Sequence, residues 1–132
     1  MKKLLVDTSV IIDFLRSLDK EKTLYYQLSQ NELYISLLTH TELFGGRSVW
    51  ESKKARNALV DIFTGVTIIS LTEEISEMAG KIKAYNHDRS LLDCIIAATS
   101  LCNNLELATL NVKDFEHIKK LELFSEVFPP KS

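Results

Sequence analysis

The chain has 132 residues, with 16 Lys and Arg against 18 Asp and Glu, a net charge of −2 and 45% hydrophobic residues; this is the composition of one globular domain with room for a real core. No apolar run approaches the ~20 residues a membrane helix needs. Asp7 and Asp13 interrupt the apolar start with no small-residue cleavage site after them, so a signal peptide is rejected and a cytoplasmic location is expected. The slight negative charge argues against a protein that coats nucleic acid, but not against a nuclease whose acids cluster at one site while lysines line its rim.

Leu4-Leu5-Val6 reads as a short buried strand. Val10, Ile11, Phe14, Leu15 and Leu18 then recur at helical spacing, predicting a helix from about Ser9 to Arg16. Asp7 therefore stands where a buried strand ends and a helix begins, the edge at which open parallel sheets bind ligands. After a polar break at Ser17–Lys20, a second helix is expected over Thr23 to Gln30, and Leu33-Tyr34-Ile35-Ser36 reads as the second strand. A helix starting near Thr39 is interrupted by Gly45-Gly46. Glu51 to Phe63 follows with one apolar stripe, and Val66-Thr67-Ile68-Ile69 is the third strand on β-branching. Thr72 caps a helix whose first turn carries Glu73 and Glu74.

Asn86-His87-Asp88-Arg89 is a polar loop. The helix from Ser90 to Asn103 is apolar nearly all round. It carries both cysteines, Cys94 and Cys102, ~12 Å apart along its axis, too far to bond to each other; two free thiols in a reducing compartment are expected. Glu106-Leu107-Ala108-Thr109 is a fourth strand, Val112 to His117 a helical turn, and Leu123 to Val127 a fifth strand at the edge before Pro129-Pro130. Strands alternating with helices imply an α/β fold: a parallel sheet with helices on both faces and right-handed crossovers. No linker or repeat divides the chain, so residues 1–132 are expected to form a single domain.

Asp7, Glu42, Asp93, and Asn111 with Asp114 fall just beyond predicted strands or at helix starts, positions that share one edge of such a sheet. Clustered carboxylates raise one another's pKa unless a cation sits between them. No Lys or Arg adjoins Asp7, Glu42 or Asp93 in sequence, so a hard divalent ion is the natural partner. Mg²⁺ takes a few carboxylate oxygens, keeps several waters and bridges to phosphate, and such a site activates water and stabilises the charge of phosphodiester cleavage. A purely structural account competes with this one. Thr39-x-x-Glu42 and Ser90-x-x-Asp93 fit the capping-box pattern and Asn111-x-x-Asp114 resembles it, and for each acid taken alone capping is the stronger reading. Asp7 is the exception, because Thr8 and Ser9 are the better cap candidates.

Four segments carry a family resemblance: Val6-Asp7-Thr8-Ser9-Val10-Ile11-Ile12-Asp13, Thr39-His40-Thr41-Glu42-Leu43 with Gly45-Gly46, Leu92-Asp93-Cys94-Ile95-Ile96-Ala97-Ala98, and Leu107-Ala108-Thr109-Leu110-Asn111-Val112-Lys113-Asp114-Phe115. In this order the chain resembles the PIN-domain ribonucleases, most closely the VapC toxins of toxin–antitoxin pairs. The resemblance implies a three-layer α/β/α fold around a parallel sheet of about five strands, and Mg²⁺- or Mn²⁺-dependent cleavage of RNA, with a tRNA or rRNA target. By motif, Asp7, Glu42 and Asp93 are the metal-holding acids. The family's fourth acid is Asn111 here, an amide that offers a carbonyl but no charge, and Asp114, three residues on, is a substitute. Thr8, Ser9 and Thr109 look like residues that orient ligands or water. A homodimer and a VapB-type antitoxin partner are implied as well.

Lys53, Lys54 and Arg56 are expected on a solvated helix face, while Arg89 and Lys113 lie near the active edge, in reach of RNA phosphates. His40, His87 and His117 show no ligand spacing and are expected at the surface or in loops. Trp50 is a packing or interface residue before it is a base-stacking one. Two readings compete with the nuclease. One is a PIN-like RNA- or protein-binding module with weak or no catalysis. The other is a phosphatase with an Asp nucleophile, which would want a second Asp where Ser9 stands.

Overall fold

The computed structural model describes residues 1–124; the end of the expected fifth strand and Pro129-Pro130 lie outside them. Four strands form one sheet: β1 (Lys3–Val6), β2 (Glu32–Ser36), β3 (Thr67–Ile69) and β4 (Glu106–Ala108). Their order is β3-β2-β1-β4 and every pairing is parallel. About five strands were expected. Among the described residues the fifth is a single parallel bridge from Leu123 to Leu107, flanked by Leu107 N–H to Glu122 O (2.9 Å) and Phe124 N–H to Leu107 O (2.8 Å).

The helices are α1 (Thr8–Arg16), α2 (Leu24–Leu28), α3 (Leu37–Phe44), α4 (Ser48–Glu51), α5 (Lys53–Phe63), α6 (Glu73–Tyr85) and α7 (Leu91–Cys102). The helix expected from Glu51 begins at Lys53, because Ser52 takes an extended conformation and its hydroxyl accepts the Ala55 N–H to start α5, while Glu51 ends the short α4. The helix expected from Thr39 begins at Leu37, because Ser36 supplies the cap through its hydroxyl and the Leu38 N–H. It ends where expected, with Gly45 as the C-cap. Helix α7 closes on Asn104, which takes the left-handed conformation (φ 53°) in place of a glycine, while Leu105 N–H reaches back to Ser100 O.

Strands β1, β2 and β4 are buried on both faces, while the edge strand β3 is largely exposed. Leu4, Val6, Leu33, Ile35 and Ala108 pack with α1–α5. Leu5, Leu107, Tyr34 and Ile69 pack with α6 and α7. This is the three-layer arrangement. Leu4, Leu5 and Val6 are fully buried, each contributing about 1.5–3 kcal/mol by leaving water. The chain moves outward from β1 to β2 to β3, then crosses back to place β4 on the other side of β1. The reversal between β1 and β4 opens a crevice at their carboxyl ends.

Candidate active site

Asp7 stands at that crevice. Its backbone N–H donates to Ala108 O (3.1 Å), tying the ends of β1 and β4 together. The residue is extended (φ −86°, ψ 172°) and is itself the N-cap of α1, a correction to the expectation that Thr8 or Ser9 caps. The cap falls to Asp7 because its Oδ1 accepts from Ser9 N (3.0 Å) and Val10 N (3.4 Å), leaving both hydroxyls free for other work. Ser9 Oγ donates to Asp7 Oδ1 and accepts from Leu110 N (3.1 Å). Thr109 Oγ1 donates to Asp7 Oδ2 and accepts from Asn111 N (2.9 Å). The loop after β4 and the first turn of α1 are thus stitched through one carboxylate, which is only 5% exposed. Burial pushes the Asp7 carboxyl above its ordinary pKa, and the bonds from Ser9, Thr109 and Val10 oppose that shift.

Glu42 reaches the site by a different route. It lies in the second turn of α3, beyond the reach of a capping box; the capping account for this residue is therefore overturned. Its Oε1 accepts from Thr8 Oγ1 (2.7 Å), and Thr8 Oγ1 also lies 3.3 Å from Oγ1 of the fully buried Thr39. This hydroxyl chain joins α1 to α3.

Asp93 keeps half of its capping role. Ser90 is the N-cap of α7, and its Oγ accepts from Asp93 N (3.1 Å). The Asp93 carboxyl is pushed up by burial first. The hydrogen bond with Ser90 opposes this, and the charges of Asp114, Asp7 and Glu42 add to it. Four acids from α1's cap, α3, α7 and the turn after β4 therefore share one electrostatic environment. Asp114 is half-buried in a single 3₁₀ turn (Val112–Asp114), while the exposed Asn111 opens that turn and accepts from Asp114 N (3.0 Å) through its carbonyl.

The donor set is all oxygen and net negative, which suits a hard divalent cation. Among the described residues, however, no three His, Cys, Asp or Glu side chains stand close enough to bind one ion together. Mg²⁺ characteristically takes only one or two carboxylates and completes its shell with water, a demand that does not require three side chains on one ion.

Several polar side chains have other employment. His40, expected at the surface, is half-buried between Phe44 and Phe63 with ring centroids 4.9 and 4.7 Å away. Trp50 packs on Phe44 and donates Nε1–H to its carbonyl (2.7 Å), and Arg56 lies over the indole at 4.8 Å. Lys53 and Lys54 are exposed, as expected of a solvated face. Sequence reasoning missed Lys83, whose ammonium donates to the carbonyls of His87 (2.7 Å) and Arg89 and so holds the loop leading to Asp93; a lysine near a helix C-terminus was the available signal.

A model of the PIN domain matches residues 4–121. The chain is 31% identical over 125 residues to the ribonuclease VapC1 of Methanocaldococcus jannaschii, covering 92% of this chain and 85% of that protein. It is 30% identical over 132 residues to the ribonuclease VapC19 of Mycobacterium tuberculosis, covering 96% and 98%. Among solved structures, the VapBC-1 complex of nontypeable Haemophilus influenzae superposes with a TM-score of 0.74 at 25% identity, over 92% of this chain and 96% of that one. A toxin–antitoxin complex from Klebsiella pneumoniae does so at 0.66 and 30%, over 94% and 99%. The match over residues 4–121, the relatives at 30% identity or more and the parallel sheet between two helical layers agree: the chain belongs to the PIN-domain family, within its VapC ribonuclease group.

Proposed function

We propose that the protein is a divalent-metal-dependent endoribonuclease, the toxin of a VapBC-type pair acting in the cytoplasm as a homodimer and restrained by a VapB-type antitoxin. The observation that carries the reading is geometric: Ser9 and Thr109 fix Asp7 where β1 and β4 part, Thr8 ties Glu42 to the same first turn, and Ser90 starts α7 at Asp93, close enough for the charges of Asp7 and Glu42 to bear on it. Names of relatives support the activity and the partner: ribonuclease VapC for the curated proteins, VapBC or toxin–antitoxin complex for the solved ones. In this reading Asp7, Glu42 and Asp93 hold Mg²⁺ or Mn²⁺. When bound, the ion supplies water activation and neutralises charge on the phosphate oxygens. Asp7, oriented by Ser9 and Thr109, is the fixed point of the site. Thr8 aims Glu42 across from α3. Asp114, half-buried in the turn after β4 and near enough for its charge to bear on Asp93, takes the place of the fourth acid; the exposed Asn111 contributes its backbone to that turn.

The test is cleavage of bulk tRNA and rRNA with and without Mg²⁺ or Mn²⁺, by wild type and by Asp7→Asn and Asp93→Asn proteins shown to be folded. Metal-dependent cuts lost in both variants support the reading, and cutting by folded Asp7→Asn at the wild-type rate overturns it. A second reading, a PIN-like module that binds RNA or protein with little turnover, draws on the absence of a tight three-ligand cluster among the described residues. Metal binding and RNA binding without cleavage would favour it.

A further inference from the structure

Helix α6 carries Met78, Lys81, Ile82 and Tyr85 on one stripe, spaced i, i+3, i+4 and i+7. The stripe forms one wall of a groove of about 600 Å³, whose opposite wall is the turn bearing Lys119 and Lys120. The floor is apolar, the rim holds three lysines, and no carboxylate lines it. Among the described residues none of the three lysines forms an ion pair. In a chain with more acids than bases, a groove lined by three lysines and no carboxylate among the described residues is complementary to an anion. Tyr85 is 81% exposed at the same rim, an amphipathic ring with no protein surface covering it. Lys120 sits in the left-handed region (φ 67°), a conformation that favours Asn or Gly.

Both walls lead to the acids. At one end of α6, Asn86 lines the groove and the loop it starts runs into Ser90 and Asp93. On the other wall the turn closes through Leu121 N–H to Ile118 O (3.2 Å), just after Phe115 and the Asp114 turn. Lys119 and Lys120 precede the Leu123–Leu107 bridge and so lie toward the amino ends of the strands, away from Asp7, and a strand leaving the acidic edge would reach them by running along α6 from Asn86.

We propose that the groove seats a flanking stretch of the RNA, with Lys81, Lys119 and Lys120 on phosphates and Tyr85 stacked on a base. This rests on the ribonuclease reading and assigns where the substrate is held away from the acids. RNA fits better than an acidic polypeptide because an exposed aromatic interleaved with lysines is the pattern that grips a strand without reading its sequence.

The experiment measures binding of fluorescein-labelled bulk tRNA against NaCl concentration, in an Asp7→Asn background that prevents cleavage. Lys119→Gln/Lys120→Gln is compared with Lys53→Gln/Lys54→Gln, which removes the same charge from the α5 face. The groove pair should lower the slope of log K against log salt by about 1.4–1.8, two phosphate contacts' worth, and the α5 pair should leave it unchanged. Tyr85→Ala should weaken binding by roughly fivefold or more without lowering that slope. Equal slopes in the two lysine pairs overturn the groove while leaving the ribonuclease reading intact, and an acidic polypeptide in the groove would give that result. If the parent protein shows no salt-dependent tRNA binding and wild type does not cleave, both readings fall together.

Discussion

Asp7 and Asp93 share an edge and an upward shift, yet they are held in opposite ways. Asp7 is buried, with both oxygens hydrogen-bonded and the ends of β1 and β4 locked around it. Asp93 is half-buried, meets one serine hydroxyl, and faces the charge of three other acids. The difference teaches how a repulsive cluster is built into a stable fold. One acid is anchored by donors that offset its desolvation. The other stands, like Asp7, at a helix start where the dipole favours its charge, but in the first turn rather than at the cap and with one serine hydroxyl in place of several donors.

The largest effect should come from breaking the anchored acid. Asp7→Asn keeps an N-cap residue but removes the central charge, so RNA cleavage is expected to fall by about a hundredfold or more. In metal-free buffer its melting temperature should equal or exceed that of wild type, and Mg²⁺ should no longer raise it. A metal-free melting temperature clearly below wild type would mean that the charge serves the fold rather than a cation.

Thr109→Val tests the anchoring itself. It deletes the donor to Asp7 and the acceptor for Asn111 N–H, and a loss of roughly 10- to 100-fold in metal affinity or activity is expected, with about 1–3 kcal/mol of stability. An unchanged Mg²⁺ titration would remove Thr109 from the positioning role.

The fourth position separates by a smaller margin. Asp114→Asn should weaken Mg²⁺-dependent cleavage several-fold more than Asn111→Ala, because one removes a charge acting on Asp93 and the other an exposed amide. The reverse ranking would return the fourth position to Asn111.

The smallest effect is on stability against pH. Asp7 and Asp93 both have carboxyls raised above the ordinary value of 3.8. A raised acid binds its proton more tightly in the fold than in the unfolded chain. Its contribution is therefore most favourable below the unfolded value and is lost as pH rises through the folded one. In metal-free buffer, Asp7→Asn/Asp93→Asn should gain stability over wild type near pH 7, and the gap should close as the pH falls below 4. Parallel curves would show that neither group is raised.

Much of this was legible in the chain. Leu4-Leu5-Val6 could only be a buried strand, and the switch to a helical period at Val10 placed Asp7 at its end. Each local pattern needed just its own few residues, so strand positions and most helices could be read without a partner. The errors came where two local solutions compete. Ser36 and Thr39 both cap well, and Ser36 took the role because β2 delivers it in extended form. Thr8 and Ser9 compete with Asp7 as caps, and Asp7 took the role because β1 delivers it extended with its carboxylate on the N–H groups of Ser9 and Val10.

The sequence by itself determined the alternation of strands and helices, the burial of β1 on both faces and which acids stand as candidates, because apolar periodicity and side-chain chemistry are properties of short stretches. Only the tertiary structure decided which acids meet. The crossing of β4 back to the far side of β1 carries Thr109 onto Asp7, 102 residues away in the chain, and brings Asp114 within electrostatic reach of Asp93. That meeting depends on strand order, and strand order is set by how two helical layers share the faces of one sheet.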